Sequence, residues 1–205
     1  MISQHDGRGH GDERSETQTA IMEATYRALC EHGYADLTMQ AIADEFEKSK
    51  SLIHYHYDTK EELLVAFLDY LIDGFLAKVE DTDDEDPRER LDTLVDTLLA
   101  GPEKSEDFQV AMLELRSQAP YVEAYREAFS ANDAHLRSLL ADTVRDGIEA
   151  GEFRDVDPDR VAETLLVLVD GARSRSVLFG DSDTVEHTRQ TIDGYVRSHL
   201  LPDDT

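Results

Sequence analysis

Apolar positions along the chain recur every three to four residues, the spacing that places side chains on one face of an α-helix. The first run lies in residues 17–32 and comprises Ile21, Ala24, Ala28 and Leu29. The longest lies in residues 60–80 and comprises Leu64, Leu68, Leu71, Phe75 and Val79. No segment alternates convincingly between apolar and polar residues as a half-buried strand would. The pattern predicts an all-α protein.

Residues that start and stop helices divide this pattern into about nine elements. Pro87, Pro102, Pro120 and Pro158 stand where a helix can begin. Three pairs have the capping spacing, namely Thr59 with Glu62, Asp86 with Glu89 and Asp183 with Glu186. The predicted helices span residues 17–32, 39–46, 50–57, 60–80, 87–100, 103–118, 120–150, 158–179 and 183–201.

Residues 38–60, TMQAIADEFEKSKSLIHYHYDTK, have the pattern of a helix-turn-helix. Two short helices meet at a tight turn; Thr38 can cap the first helix and Ser49 the second. Such a pair suits the major groove of DNA, where the N-terminal part of the second helix meets base edges. The candidate DNA-contacting residues are Thr38, Lys48, Ser49, Lys50, Ser51, His54, Tyr55, His56 and Lys60. Lys50 and Tyr55 are the candidates for base edges, and His54 and Lys60 for phosphates.

This stretch resembles the DNA-binding signature of the tetracycline-repressor (TetR) family. The matching residues are Ile42, Ala43, Ser49, Ile53, His56, Tyr57, Lys60 and Leu63. The chain departs from that signature at Glu47, Lys48 and His54, where the family has glycine, valine and an aromatic residue. The resemblance implies a dimeric regulator, usually a repressor, that binds an operator and is released by a small-molecule effector.

The family resemblance also implies an N-terminal three-helix DNA-binding domain and a C-terminal helical domain for ligand binding and dimerisation. We expect a disordered arm over residues 1–16, the DNA-binding domain over 17–60 and the second domain over 61–205. In the family, the last two helices pair with those of a second subunit. The alternative is that these two helices close the core of a monomer.

The family's effector would lie between the middle helices. The candidate lining residues are Phe67, Tyr70, Phe108, Met112, Arg116, Tyr121, Tyr125 and Phe129. A lining of aromatic residues and methionine with one cation suits an amphipathic or carboxylate ligand. The alternative is a filled core with Arg116 at the surface or in a salt bridge. The segment LVDGARSRSVLFG resembles the family's choline-responsive subgroup, but does not identify a ligand.

Charge changes the picture of the surface. The chain has 46 acidic and 20 basic residues, a net charge of −26. Three of its five lysines, Lys48, Lys50 and Lys60, lie in the helix-turn-helix. Abundant acids with few lysines resemble proteins from organisms that keep molar salt in the cytoplasm. The alternative interpretation is an acidic mesophilic protein.

Other features exclude several classes of protein. The single cysteine, Cys30, leaves no internal disulfide. No apolar run reaches the ~20 residues that span a bilayer, and the polar N-terminus is unlike a signal peptide, so a cytoplasmic protein is expected. We find no phosphate-binding loop or G-x-S-x-G motif, and His54 and His56 would point to different sides of a helix. We therefore expect no enzyme activity, cofactor or metal. The remaining alternative, suggested by the charge, is an interaction module with a vestigial DNA-reading head.

Overall fold

The computed structural model describes residues 16–46, 50–80, 86–101, 105–181 and 183–202, and within these ranges it contains nine α-helices and no strand. The helices are α1 (Glu16–His32), α2 (Met39–Asp44), α3 (Lys50–His56), α4 (Lys60–Glu80), α5 (Pro87–Ala100), α6 (Glu106–Gln118), α7 (Glu123–Glu149), α8 (Pro158–Phe179) and α9 (Asp183–Tyr195). The predicted all-α class is confirmed.

Helices α6, α7 and α9 differ most from their predicted bounds. Helix α6 begins at Glu106, because the Ser105 hydroxyl accepts the Phe108 N–H. Between α6 and α7 the chain makes a turn, in which the Gln118 carbonyl accepts the N–H groups of Tyr121 and Val122. Helix α9 ends at Tyr195 and continues as a π-helical turn over Val196–Leu200, closed by Leu201 N–H on the Val196 carbonyl.

The predicted helix caps are partly confirmed. The Thr38 hydroxyl accepts the Ala41 N–H at 3.0 Å, and an Asp86 oxygen accepts the N–H groups of Arg88 and Glu89. The predicted pair at α9, Asp183 with Glu186, stays a prediction, because the residue before Asp183 lies outside the described residues. There the Asp181 carboxylate accepts the Asp183 N–H at 3.2 Å.

Buried apolar side chains form two core clusters. The first, which we call the head core, contains residues of α1, α2, α3 and the first half of α4. It also contains Phe108, Ala111 and Leu115 from α6, and Tyr125 and Ala128 from α7. The second, the body core, is built from α5, the later part of α7, α8 and α9, with Phe75 of α4 packed against it. Helix α4 therefore contacts both clusters.

The predicted segments are not directly tested by this arrangement. Of the expected N-terminal arm, only Glu16 lies within the described residues, where it begins α1. The division at residue 60 stays a prediction, although the head core draws on α6 and α7. Among the described residues, no helix is long and apolar enough to cross a membrane.

Candidate nucleic-acid interface and effector cavity

Helix α2 is fixed against α1 by apolar and polar contacts. Ile42 and Ala43 are buried on its inner face. At its end, the Arg27 guanidinium donates to the Glu45 carboxylate at 3.2 Å and to the Glu45 carbonyl at 2.9 Å. These contacts set the position from which the chain proceeds to α3.

Helix α3 has one buried face and one exposed face. Ile53 is fully buried and Tyr57 is 7% exposed, so the two residues, four positions apart, anchor the helix in the head core. Ser51, His54 and Tyr55 lie on the exposed side, and Tyr55 is 82% exposed. His56 is half-buried, with its ring edge-on to the Tyr55 ring at 5.2 Å between centroids. The exposed face offers both hydrogen-bonding groups and an aromatic surface to a partner.

The turn before α3 cannot be compared with its prediction. Glu47, Lys48 and Ser49 lie outside the described residues, and so does the side chain of Lys50. Their DNA-contacting roles and the Ser49 cap stay predictions. Thr38 is exposed, and its hydroxyl caps α2, as the sequence suggested.

The Lys60 ammonium group already has partners within the protein. It donates to the Leu37 carbonyl at 3.0 Å and lies 4.7 Å from the centre of the Tyr34 ring. The neighbouring Glu62 N–H is accepted by the Thr59 hydroxyl at 3.1 Å. The predicted phosphate contact remains untested, but Lys60 also holds the start of α4 against the segment between α1 and α2.

A cavity of about 190 Å³ lies between α4, α5, α6, α7 and α8. Its walls are mostly apolar. The apolar lining residues include Leu68, Leu71, Ile72, Phe75, Leu98, Met112, Leu113, Phe129, Leu136, Leu166 and Val177. The polar ones are Thr97, Gln109, Arg116, Asn132, Asp133, Asp170, Arg173 and Ser174.

Three of the predicted lining residues, Met112, Arg116 and Phe129, line this cavity. The other five are not among the residues that line this cavity, and their contact with an effector stays a prediction. Phe67, Phe108 and Tyr125 are buried in the head core, Tyr70 packs against that core, and Tyr121 is 83% exposed. The helical spacing identified apolar residues correctly but could not tell which cluster each one enters.

The sequence analysis did not select three charged residues that line the cavity, namely Asp133 of α7 and Asp170 and Arg173 of α8. The first half of α8 is apolar on most sides. Charged residues in such a helix need a partner or a polar cavity, because an isolated buried charge is costly. This conflict between charge and apolar surroundings was the available signal for the site.

The charged groups of the cavity lie close together. Two guanidinium nitrogens of Arg116 donate to the two oxygens of Asp170 at 3.0 and 2.8 Å. The Arg116 guanidinium also lies 5.8 Å from the centre of the Phe129 ring. Burial lowers the pKa of Arg173, an effect that the Asp170 carboxylate opposes and the Arg116 cation reinforces.

Helix α6 connects this cavity with the head. Met112 and Arg116 line the cavity. Between them, Glu114 extends a carboxylate oxygen that accepts the Tyr34 N–H at 2.8 Å. A shift of α6 would therefore move Glu114 and alter its hydrogen bond to the segment that joins α1 to α2.

Two family models match most of the chain. Residues 21–67 match the model described as bacterial regulatory proteins, tetR family. Residues 87–201 match the model described as BetI-type transcriptional repressor, C-terminal. The first match includes the helix-turn-helix, and the second includes α5 to α8, which line the cavity together with α4.

Individual proteins are similar over nearly the whole chain. A TetR transcription regulator from Haloarcula marismortui has 48% identity and a TM-score of 0.85, covering 92% of this chain and all of its own. A transcriptional regulator from Saccharomonospora viridis in complex with choline has 27% identity and a TM-score of 0.77, with the same coverage. The regulator TtgR of Pseudomonas putida is 30% identical over 83% of this chain and 85% of its own.

Proposed function

Because the chain belongs to the TetR family of transcriptional regulators, we propose that it binds a pseudo-palindromic operator as a homodimer. We further propose that it represses transcription until a small-molecule effector releases it. The relatives described above are regulators, and no enzyme is among them. Choline is the ligand of one relative; the effector of this chain is a separate question.

The observation that carries the proposal is the exposed face of α3. Tyr55 is 82% exposed while Ile53, two residues away, is fully buried. On the second helix of a helix-turn-helix, the face that would meet DNA is the exposed one, and Tyr55 stands on that face. Stacking, apolar contact and hydrogen bonding are all open to a tyrosine at the edges of bases or at a sugar.

A second copy of the chain is the partner that we propose for α8 and α9. On α8, Val167, Leu178 and Phe179 are exposed by 61%, 62% and 67%, which is unusual for such large apolar side chains. Between them, a Cβ on Gly171 would meet no atom within 4 Å, which leaves room for close approach of another helix. Two-fold pairing would also place two copies of α3 on successive half-sites of DNA.

The proposed salt environment follows from composition. At molar salt the Debye length falls to about 3 Å, which screens the repulsion between an acidic protein and DNA. We therefore propose a protein adapted to a salt-rich cytoplasm, and DNA binding should be measured in both dilute and molar KCl.

The test combines a selection with a matched pair of tyrosine substitutions. Fragments of the source genome are incubated with the protein and the retained DNA is sequenced. Operator affinity is then measured for Tyr55→Ala and for Tyr121→Ala, whose tyrosines are 82% and 83% exposed. Loss of one direct contact should weaken Tyr55→Ala by roughly tenfold or more, and Tyr121→Ala should bind as the parent protein does.

The selection should recover one or a few pseudo-palindromic sites. Equal affinity of the two tyrosine variants would remove α3 from the interface. If no fragment is enriched at either salt concentration, the interaction module becomes the better account.

A further inference from the structure

Two arginines line the cavity, Arg116 and Arg173, and they differ in their partners. Arg173 lines the cavity, but within the described part of the chain its guanidinium makes no side-chain hydrogen bond to another residue. The nearby Asp170 carboxylate is already occupied on both oxygens by Arg116. A guanidinium has five N–H donors, so Arg173 can still bind a planar anion with two parallel hydrogen bonds.

The end of α5 keeps Arg173 in place. Gly101 follows α5 with a φ of 73°, and its N–H donates to the Thr97 carbonyl at 3.1 Å. A Cβ on Gly101 would lie 2.9 Å from an Nη atom of Arg173, so the guanidinium packs directly over this glycine. The backbone conformation and the absence of a side chain both favour glycine here.

We propose that the cavity binds a small carboxylate with an apolar tail, whose carboxylate is held by Arg173. The tail would lie against the wall formed by Leu68, Leu71, Phe75 and Leu98. If the carboxylate is also the effector that releases the operator, that role rests on the proposed function. Binding itself can be tested without DNA.

The size of the cavity restricts the ligand. Pockets for drug-sized molecules measure about 300–1,000 Å³, whereas this one measures about 190 Å³. A single head group with one short chain fits that volume better than a branched or multi-ring compound. Straight-chain carboxylates of graded length are therefore suitable probes.

A quaternary ammonium ligand is a poorer match to these charges. Asp170 is paired with Arg116, and Asp133, the other acidic lining residue, is paired with Arg137 at 2.7 Å. The Phe129 ring already faces the Arg116 guanidinium. A cation entering the cavity would meet Arg173 and find both acidic groups and the Phe129 ring already occupied.

The test measures ligand binding to the full chain by thermal unfolding and calorimetry. The probes are straight-chain carboxylates from butanoate to decanoate, the alcohols of equal chain length, and choline. One or more carboxylates should raise the unfolding temperature, because a ligand that binds only the folded state stabilises it. The alcohols should bind at least tenfold more weakly, since they lack the charge-assisted bonds to Arg173.

Three variants test whether the Arg173 guanidinium itself binds the carboxylate. Arg173→Met should lose carboxylate binding by about tenfold or more while keeping an apolar side chain of similar length. Arg173→Lys should retain part of the affinity. The control is Arg126→Met, which removes an exposed arginine of α7 that pairs with Glu123. It should leave carboxylate binding unchanged.

The outcomes also separate this inference from the proposed function. Tighter binding of choline than of every carboxylate, or equal carboxylate binding by parent and Arg173→Met, would overturn the inference even if the operator is found. Carboxylate binding without any recovered operator would support the inference and count against the proposed function. If neither carboxylate nor choline binds while the operator is recovered, the inference fails and the regulator stands.

Discussion

Lys60 shows how one side chain can serve both folding and recognition. Its ammonium group has three N–H donors, of which one meets the Leu37 carbonyl while the charge lies over the Tyr34 ring. The remaining donors are available to a phosphate. A protein that uses one lysine in this way links correct placement of α4 to the grip on DNA.

Substitution of Lys60 by Met should therefore affect stability as well as DNA binding. We expect the free energy of unfolding to fall by about 1 kcal/mol, the typical contribution of a hydrogen bond. Operator affinity should fall to a similar degree for every operator sequence, since phosphate contacts carry no base information. Denaturant titration and binding to a panel of operator variants are the measurements.

Lys60→Arg is the matched control, because it keeps the charge and the donors. Its free energy of unfolding should be close to that of the parent protein and above that of Lys60→Met. Unfolding unchanged in Lys60→Met would mean that the contact with Leu37 contributes nothing, and a loss confined to one base pair would mean direct base reading.

For single residues, the sequence predicted which side chains are buried, but not which core cluster or cavity each of them enters. Ile21, Ala24, Ala28 and Leu29 were placed on one face of α1 by their spacing, and all four are buried. Phe67 and Phe108 were correctly expected to face inward, yet they fill the head core instead of lining the cavity. Spacing fixes the face of one helix; which neighbour meets that face depends on how several helices pack together.

Among the elements, α6 has the position to carry a signal. Its residue Glu114 accepts a hydrogen bond from the Tyr34 N–H in the head. Met112 and Arg116, two residues before and two residues after Glu114, line the cavity. Effector binding can alter operator affinity only if the two states of the protein differ in contacts such as this one.

Glu114→Ala should weaken the response to an effector more than it weakens effector binding. It removes the acceptor for the Tyr34 N–H while leaving the cavity lining intact. We expect the same affinity for a cavity ligand but a smaller change in operator affinity when that ligand is added. Operator titrations with and without the best probe measure this ratio directly.

Glu127→Ala, which changes an exposed acid of α7, is the control and should preserve the parent ratio. A full response in Glu114→Ala would show that coupling travels by another route, such as α4, which contacts both core clusters.

Helix boundaries were predictable where a single strong signal marks them. Proline marked the first residue of α5 and of α8. The π-helical turn Val196–Leu200 was not predictable, because its apolar residues continue the pattern of α9. Contacts from another segment accompany it: the Arg154 backbone N–H donates to the Leu200 carbonyl at 2.7 Å.

At the scale of the whole molecule, the exposed apolar face of α8 predicts the state of assembly. Leu178→Glu or Val167→Glu would place a charge in the proposed interface between two copies, and burying an unpaired charge is unfavourable. We expect each variant to sediment as a monomer while retaining its helical circular dichroism. Operator affinity should fall with the loss of the dimer.

Val110→Glu is the corresponding control, since Val110 is 41% exposed but lies on α6. It should assemble as the parent protein does. If the parent protein is monomeric at micromolar concentration, the alternative is favoured, in which α8 and α9 close the core of a single chain.

The shared composition of the head core has an evolutionary consequence. Phe108, Ala111 and Leu115, which complete that core, lie more than forty residues beyond the helix-turn-helix. A gene fusion that joined this head to the body of another regulator would have to supply a compatible α6 surface as well. New operator specificities in this lineage should therefore arise by substitutions on α3 more readily than by exchange of whole heads.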